Sequence, residues 1–234
     1  MARAVAVAAW AGLVLVAVQH DVQIIDVSSP SEPTIMGTLP TSGDAGDVAF
    51  LSADAALVAD TDGLLLVDLA EPAAPTLLET VEVGGPPLGL AISEAYVFVA
   101  ANDPLAVLSS DLGVLTTVET PGDCFAVAAD DYVAFVAGGN PLQIVDAEDP
   151  QTAEIVATVD VPGGSFAVAT FGDHVLAGGD DLVLVDASDP TDPTVVETVE
   201  LRGRAAGISV SETHAFVATD DQDLQIVDLG CLLP

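Results

Sequence analysis

Apolar runs of four to six residues, rich in Val, Ile, Leu and Ala, alternate along the chain with clusters of Gly, Pro, Asp, Asn and Ser. Runs this short keep no 3.6-residue helical period, and turn-forming clusters between them are the punctuation of strands. In the stretch from Gly89 to Glu119 the pattern predicts four strands: a over Gly89–Ser93, b over Tyr96–Ala100, c over Leu105–Leu108 and d over Leu115–Glu119. The connections between them are two to six residues long. Such lengths suit antiparallel hairpins, because a parallel pair needs a crossover of about a dozen residues or more. The predicted class is all-β.

The same four-strand pattern repeats. A pentamer closing on Asp occurs as Val22-Gln23-Ile24-Ile25-Asp26, Leu64-Leu65-Leu66-Val67-Asp68, Leu142-Gln143-Ile144-Val145-Asp146, Leu182-Val183-Leu184-Val185-Asp186 and Leu224-Gln225-Ile226-Val227-Asp228. A degenerate copy, Leu105-Ala106-Val107-Leu108-Ser109, fills the gap between the second and third of these. The spacing is about 40 residues, the length of one propeller blade. Strand a is rich in small residues, among them Ala6, Ala49, Gly89, Ala91, Ala126, Ala167 and Gly207, as the crowded innermost strand of a radial sheet requires. Strands b and c carry larger apolar residues on both faces, as sheets sandwiched between neighbours do.

The expected fold is therefore a single β-propeller domain over residues 1–234, built of four-stranded antiparallel blades. Its repeats span residues 3–38, 46–83, 87–120, 123–160, 165–201 and 205–229, and the last holds strands a, b and c only. We expect a six-bladed ring closed by this incomplete blade; the competing expectation is a fragment of a larger propeller. Open terminal blades would leave apolar faces that repeat arrays normally cap.

The pentamers run on into an Asp-x-Ser-x-Pro-x-x-Pro pattern, best seen at Asp26-Val27-Ser28-Ser29-Pro30-Ser31-Glu32-Pro33 and Asp186-Ala187-Ser188-Asp189-Pro190-Thr191-Asp192-Pro193. With this continuation the chain resembles the LVIVD-repeat family of β-propellers over nearly its whole length. The third repeat departs from the pattern at Ser109-Ser110-Asp111-Leu112, and the fourth has Ala153 in place of the second Pro. The resemblance implies a repeat scaffold, often secreted or surface-associated, and brings no shared catalytic residues with it.

Charge narrows the partners. With 37 acidic side chains against 3 arginines and no lysine, the formal net charge is −34. Nucleic acid is thereby excluded as a partner, since its binding depends on Lys and Arg displacing phosphate counterions. A hydrophobic content of 51% against 17% charged residues nevertheless marks a chain that folds around a core. Cys124 and Cys231 are too few for a disulfide framework and lack metal-ligand spacing. Met1-Ala2-Arg3 and the apolar run to Val18 resemble a secretory leader, but the cleavage site at Leu15-Val16-Ala17 is poor and the repeats claim the segment as two strands. No other run is long enough to span a bilayer.

Candidate chemistry falls into three groups. The Asp closing each pentamer (Asp26, Asp68, Asp146, Asp186 and Asp228) precedes a Ser or Pro turn, where a carboxylate accepts backbone N–H bonds in an Asx-type turn. The b-to-c turns carry Asp60, Asp62, Asp103, Asn140, Asp180, Asp181, Asp220 and Asp221. They share one end of an up-and-down blade with the d-to-a connections. Asn, Asp and Gly serve hairpin geometry there; the same oxygens could bind calcium, although no turn has EF-hand spacing. Arg3, Arg202 and Arg204 precede strand a of the first and last repeats and could mark a site for an anionic group.

His20, His174 and His214 form no metal-ligand constellation, and we expect His174 and His214 to be packing residues at the start of strand b. Trp10 is expected in the first a-to-b turn. No nucleophile elbow or phosphate loop occurs. These features favour a non-enzymatic scaffold that presents a rigid face to a protein or ligand, outside the cytoplasm or at a cell surface, with no cofactor unless calcium. Two alternatives are a metal-dependent propeller hydrolase or lyase with its site at the channel mouth, and a calcium-binding or halophilic surface protein.

Overall fold

The computed structural model describes residues 4–221 and 223–232. Among them every regular element is a strand, apart from single-turn 3-10 segments at Pro150–Thr152 and Leu229–Cys231. The chain divides into two compact units, one reaching Ile92 and the other beginning at Ser93.

The first unit contains two complete antiparallel sheets, each ordered as its strands occur along the chain. They are β1 (Ala6–Trp10), β2 (Leu13–Val18), β3 (Asp21–Asp26) and β4 (Thr34–Pro40), then β5 (Ala45–Ser52), β6 (Ala55–Asp60), β7 (Gly63–Asp68) and β8 (Thr76–Val81). The unit ends with β9 (Gly89–Ile92), strand a of the third repeat. The second unit opens on β10 (Val97–Ala100), β11 (Leu105–Leu108) and β12 (Val114–Val118). Two four-stranded sheets follow: β13 (Ala126–Asp130), β14 (Val133–Ala137), β15 (Leu142–Asp146) and β16 (Glu154–Val159), then β17 (Ala167–Phe171), β18 (His174–Gly178), β19 (Asp181–Asp186) and β20 (Thr194–Glu200). The last sheet has three strands, β21 (Ala205–Val210), β22 (His214–Thr219) and β23 (Leu224–Asp228). These sheets are the blades of a β-propeller, six in number, with an incomplete last blade.

Strands of the third repeat fall within a residue or so of their predicted bounds. Trp10 does not sit in a turn: it is the last residue of β1, paired with Leu13, and its ring lies 6.3 Å from that of Phe50. The turn is the two-residue Ala11-Gly12, both at positive φ (47° and 87°), which matches the twist of the flanking strands.

The core lies between successive blades of a unit. In the first unit Leu15, Val22 and Ile24 of one blade pack against Val48, Val58 and Leu65 of the next. In the second, Phe135, Leu142 and Ile144 meet Val175, Ala177 and Val183, while Leu176, Leu182 and Leu184 meet Ala215 and Val217. Strands covered on both faces, such as β10, β11 and β19, are buried almost continuously, whereas β2 and β3 alternate buried with half-buried positions and β23 alternates half-buried with exposed ones.

Strand d is the exposed edge, and it carries a device the apolar pattern does not show. In five blades the c-to-d register shifts at the same place, between the third and fourth residues of the pentamer, as at Ile24/Ile25, Leu66/Val67 and Leu184/Val185. The extra residue on strand d, Met36 in the first blade, is a β-bulge that bends an edge otherwise open to strand addition.

Candidate functional site

At one end of the blades, strand c turns into the Pro-rich connection. There the closing carboxylate accepts the N–H two residues on: Ser28 to Asp26, Ala70 to Asp68, Glu148 to Asp146, Ser188 to Asp186 and Gly230 to Asp228, at 2.8 to 2.9 Å. The hydrogen bond to Ser28 holds the Asp26 carboxyl below the usual range, and that to Ser188 does the same for Asp186. Committed to backbone, these carboxylates fix a turn. The third repeat, lacking the Asp, closes through Ser109 N–H to Gly113 carbonyl instead.

At the other end the b-to-c turns meet the d-to-a connections. In the first unit Asp60 is buried, and its two oxygens receive the N–H of Gly43 at 3.1 and 3.2 Å and that of Asp62 at 2.9 Å. Thr61 Oγ1 accepts from Asp44 N–H, and His20 lies 3.4 Å from the Asp44 carboxylate. On β5 a bulge between Ala45 and Asp47 brings the Asp47 carboxylate to the N–H groups of Val48 and Leu90, both at 2.8 Å. Burial pushes its pKa up to about 6 despite these two bonds.

The second unit builds the same end with glycine. Gly122, Gly163 and Gly203 occupy one position of successive d-to-a connections, each at positive φ (101°, 76° and 83°). Gly138 and Gly179 leave room for the connection itself, since a Cβ at either would collide with the carbonyl of Asp123 or Gly164. Asn140 accepts from Val161 N–H and Asp220 from Arg204 N–H, both at 2.9 Å. The loops are thus held by backbone hydrogen bonds on both sides.

On this frame sits an array that the sequence reading missed. Phe125 and Phe166, each just ahead of strand a, stack with ring centroids 6.0 Å apart and 20° between planes. The Arg204 guanidinium lies over Phe166, 4.5 Å from its centroid, and its Nε is 3.7 Å from the Asp220 carboxylate. Phe125 and Phe166 are half-buried, and Arg204 and Asp220 are exposed. The signal was the repeat itself: Cys124-Phe125-Ala126 and Ser165-Phe166-Ala167 are in phase, so neighbouring blades place the two rings side by side.

The remaining candidates are dispersed. Arg3 lies outside the described residues. Arg202 is exposed, and its main chain is bonded at both ends by the Gln225 amide, through N–H to Oε1 and Nε2–H to carbonyl. Asp103 precedes a cis proline, Asp180 flanks Gly163, Asp181 opens β19 and Asp221 flanks Gly203. Among the described residues no three His, Cys, Asp or Glu side chains converge as metal ligands. Cys124 is buried and its thiol is pushed up to about 12 by burial, with the Asp103 charge adding to the effect, while Cys231 is exposed; both are free.

The LVIVD repeat model matches residues 3–41, 42–83, 165–200 and 202–229, more than half of the chain. The chain belongs to the LVIVD-repeat family. The third and fourth repeats fall outside the matched segments, and both depart from the Pro pattern. No curated protein matches the chain. Among solved structures, the computationally designed Ika8 protein is similar at 11% identity and a TM-score of 0.75, covering 99% of this chain and 73% of that one. A functionally unknown protein from Desulfotomaculum acetoxidans DSM 771 is similar at 13% identity and a TM-score of 0.74, covering 90% and 76% respectively. Likeness at this identity shows the propeller fold, and the LVIVD-repeat chain is by family and fold a repeat scaffold.

Proposed function

We propose that this scaffold is a non-enzymatic interaction module, working outside the cytoplasm or at a cell surface, that binds a cationic partner at the loop end of its second unit. The array of Phe125, Phe166, Arg204 and Asp220 supports the reading. An aromatic face beside a carboxylate attracts guanidinium and ammonium groups, and within the chain Arg204 occupies Phe166 in that manner. Asp123, Asp180 and Asp221 stand in the same loops. Loops bonded through their backbones lose little freedom when a partner docks. A net charge of −34 steers cations toward the molecule.

Calorimetric titration with an arginine-rich and a glutamate-rich peptide of equal length tests this. The arginine peptide is expected to bind, more weakly as NaCl is added, and Phe166→Ala or Asp220→Asn to weaken it about tenfold, in the range of a partly desolvated cation–π contact. Binding of the glutamate peptide alone, lost in a variant carrying Arg202→Ala and Arg204→Ala, would overturn the reading in favour of an anion site. Failure of both peptides to bind would overturn it as well.

A further inference from the structure

Phe125, Phe166 and Arg204 come from the start of strand a in three successive blades, and strand register shows what each blade places there. Phe125 lies two residues before Val127, which pairs with Val136, and Phe166 two before Val168, which pairs with Ala177. The matching residue of the last blade is Ala206, two before Ile208, which pairs with Val217. That blade therefore has no ring to add, and Phe166 is covered instead by the Arg204 guanidinium, 4.5 Å from its centroid. A planar guanidinium stacks on an aromatic face, whereas an ammonium is a compact, strongly hydrated charge.

Arg204 is fastened by its main chain and only lightly by its side chain. Its N–H donates to Asp220 Oδ1 and its carbonyl accepts the Asp220 N–H, both at 2.9 Å, while the next N–H, of Ala205, donates to the Gly179 carbonyl at 2.9 Å. The side chains of Arg204 and Asp220 are each 48% exposed, and Arg204 Nε stops 3.7 Å from Asp220 Oδ2, beyond hydrogen-bond reach. At that distance Oδ2 receives no hydrogen bond from Nε, although it lies beside a cation. A guanidinium arriving from solvent carries no such tether and meets a carboxylate through two parallel N–H bonds.

Building on the cation-site reading, we propose that the group recognised here is the guanidinium of a partner's arginine side chain, and that Arg204 is a built-in stand-in which that group displaces. The incoming guanidinium takes the face of Phe166 and adds the paired hydrogen bonds to Asp220 that Arg204 does not make. Arg204 swings into solvent about its side-chain torsions, leaving its main-chain bonds in place. Exchanging one stacked cation for another lowers the affinity of the site by the strength of the internal contact. A lysine ammonium has no fork to offer and gives up more hydration, so it displaces Arg204 less well.

Calorimetric titration with an arginine-rich and a lysine-rich peptide of equal length and charge tests this, on the wild-type chain and on variants whose circular dichroism and melting show them folded. Arg204→Ala keeps the main-chain bonds and is expected to bind the arginine peptide about three- to fivefold more tightly than the wild type, the strength of an exposed cation–π contact. Arg202→Ala removes the same charge two residues away and should tighten binding far less. With Phe166→Ala also present, the gain from Arg204→Ala should fall to the level of Arg202→Ala. The chain has 3 arginines, so the Nε–H signal of Arg204 can be followed by NMR, and unlabelled arginine peptide should move it toward that of a solvated arginine. If the wild type binds the arginine peptide but Arg204→Ala binds it no more tightly, or Arg202→Ala matches Arg204→Ala, or the Arg204 signal stays in place, displacement is overturned while the cation site stands. Equal affinity for the lysine peptide overturns the selection of a guanidinium. Binding of neither peptide by the wild type or by Arg204→Ala removes the cation site itself, and this inference with it.

Discussion

Asp47 places a carboxylate on an inner strand where the other blades have small or apolar residues, and its environment sets two effects against each other. Bonds from the Val48 and Leu90 N–H groups favour the anion, while burial disfavours it, and burial prevails, raising the pKa from 3.8 to about 6. The folded chain therefore holds this proton more tightly than the unfolded chain. The resulting stabilisation is full below pH of about 4 and is lost as pH rises through about 6, a change on the order of 3 kcal/mol. Asp26, Asp186 and Asp189 act in the opposite sense. Hydrogen bonds lower their pKa values, so their contribution is present above the usual carboxylate range and is lost as pH falls through it. Carbon-detected NMR should show Asp47 titrating near 6 while these three titrate below ordinary aspartates. In urea denaturation, Asp47→Asn should flatten the dependence of stability between pH 4 and 6, whatever it does to the absolute value.

The second position of the pentamer shows how one place in the repeat reads differently in different blades. Gln225 bonds both the N–H and the carbonyl of Arg202, whereas Gln143, at the same place two blades earlier, faces Pro121. Proline has no N–H to give, so Gln143 reaches only the carbonyl, at 3.4 Å, and its Oε1 is buried without a partner. Leu65 fills this position in the second blade. We expect Gln143→Leu to stabilise the chain by about 1 kcal/mol and Gln225→Leu to destabilise it by a similar amount, read from denaturation midpoints. Strands, repeat phase and turn carboxylates were legible because period-2 apolar runs, a spacing of about 40 residues and Asx turns are local signals. The bulge on strand d was not, because it lies in the pairing of two strands. Nor was the stack of Phe125, Phe166 and Arg204, whose members come from three repeats and meet only through packing. Arg204 drew attention as a rare cation; its partners were ordinary aromatic residues until the blades placed them together.

For the molecule as a whole, charge decides how stability responds to solvent. The interiors of strands b and c are almost uncharged, so the 37 acidic residues crowd into turns, connections and the edges of strand d, with 3 arginines to offset them. Self-repulsion at that density weakens the folded state and is relieved by screening, whose length shortens from about 8 Å at physiological ionic strength to about 3 Å at 1 M. Melting temperature should accordingly rise with NaCl. Calcium separates screening from site binding. The b-to-c oxygens at Asp60, Asn140 and Asp220 already accept backbone N–H bonds, and a calcium ion needs about six to eight oxygens arranged around one point. Recruiting those carboxylates would break the bonds that shape the loops. At matched ionic strength, calcium chloride and sodium chloride should therefore raise the melting temperature equally. An additional rise at millimolar calcium, abolished by Asp220→Asn but not by NaCl, would show instead that the loop end is a cation site and that its hydrogen bonds yield to the metal.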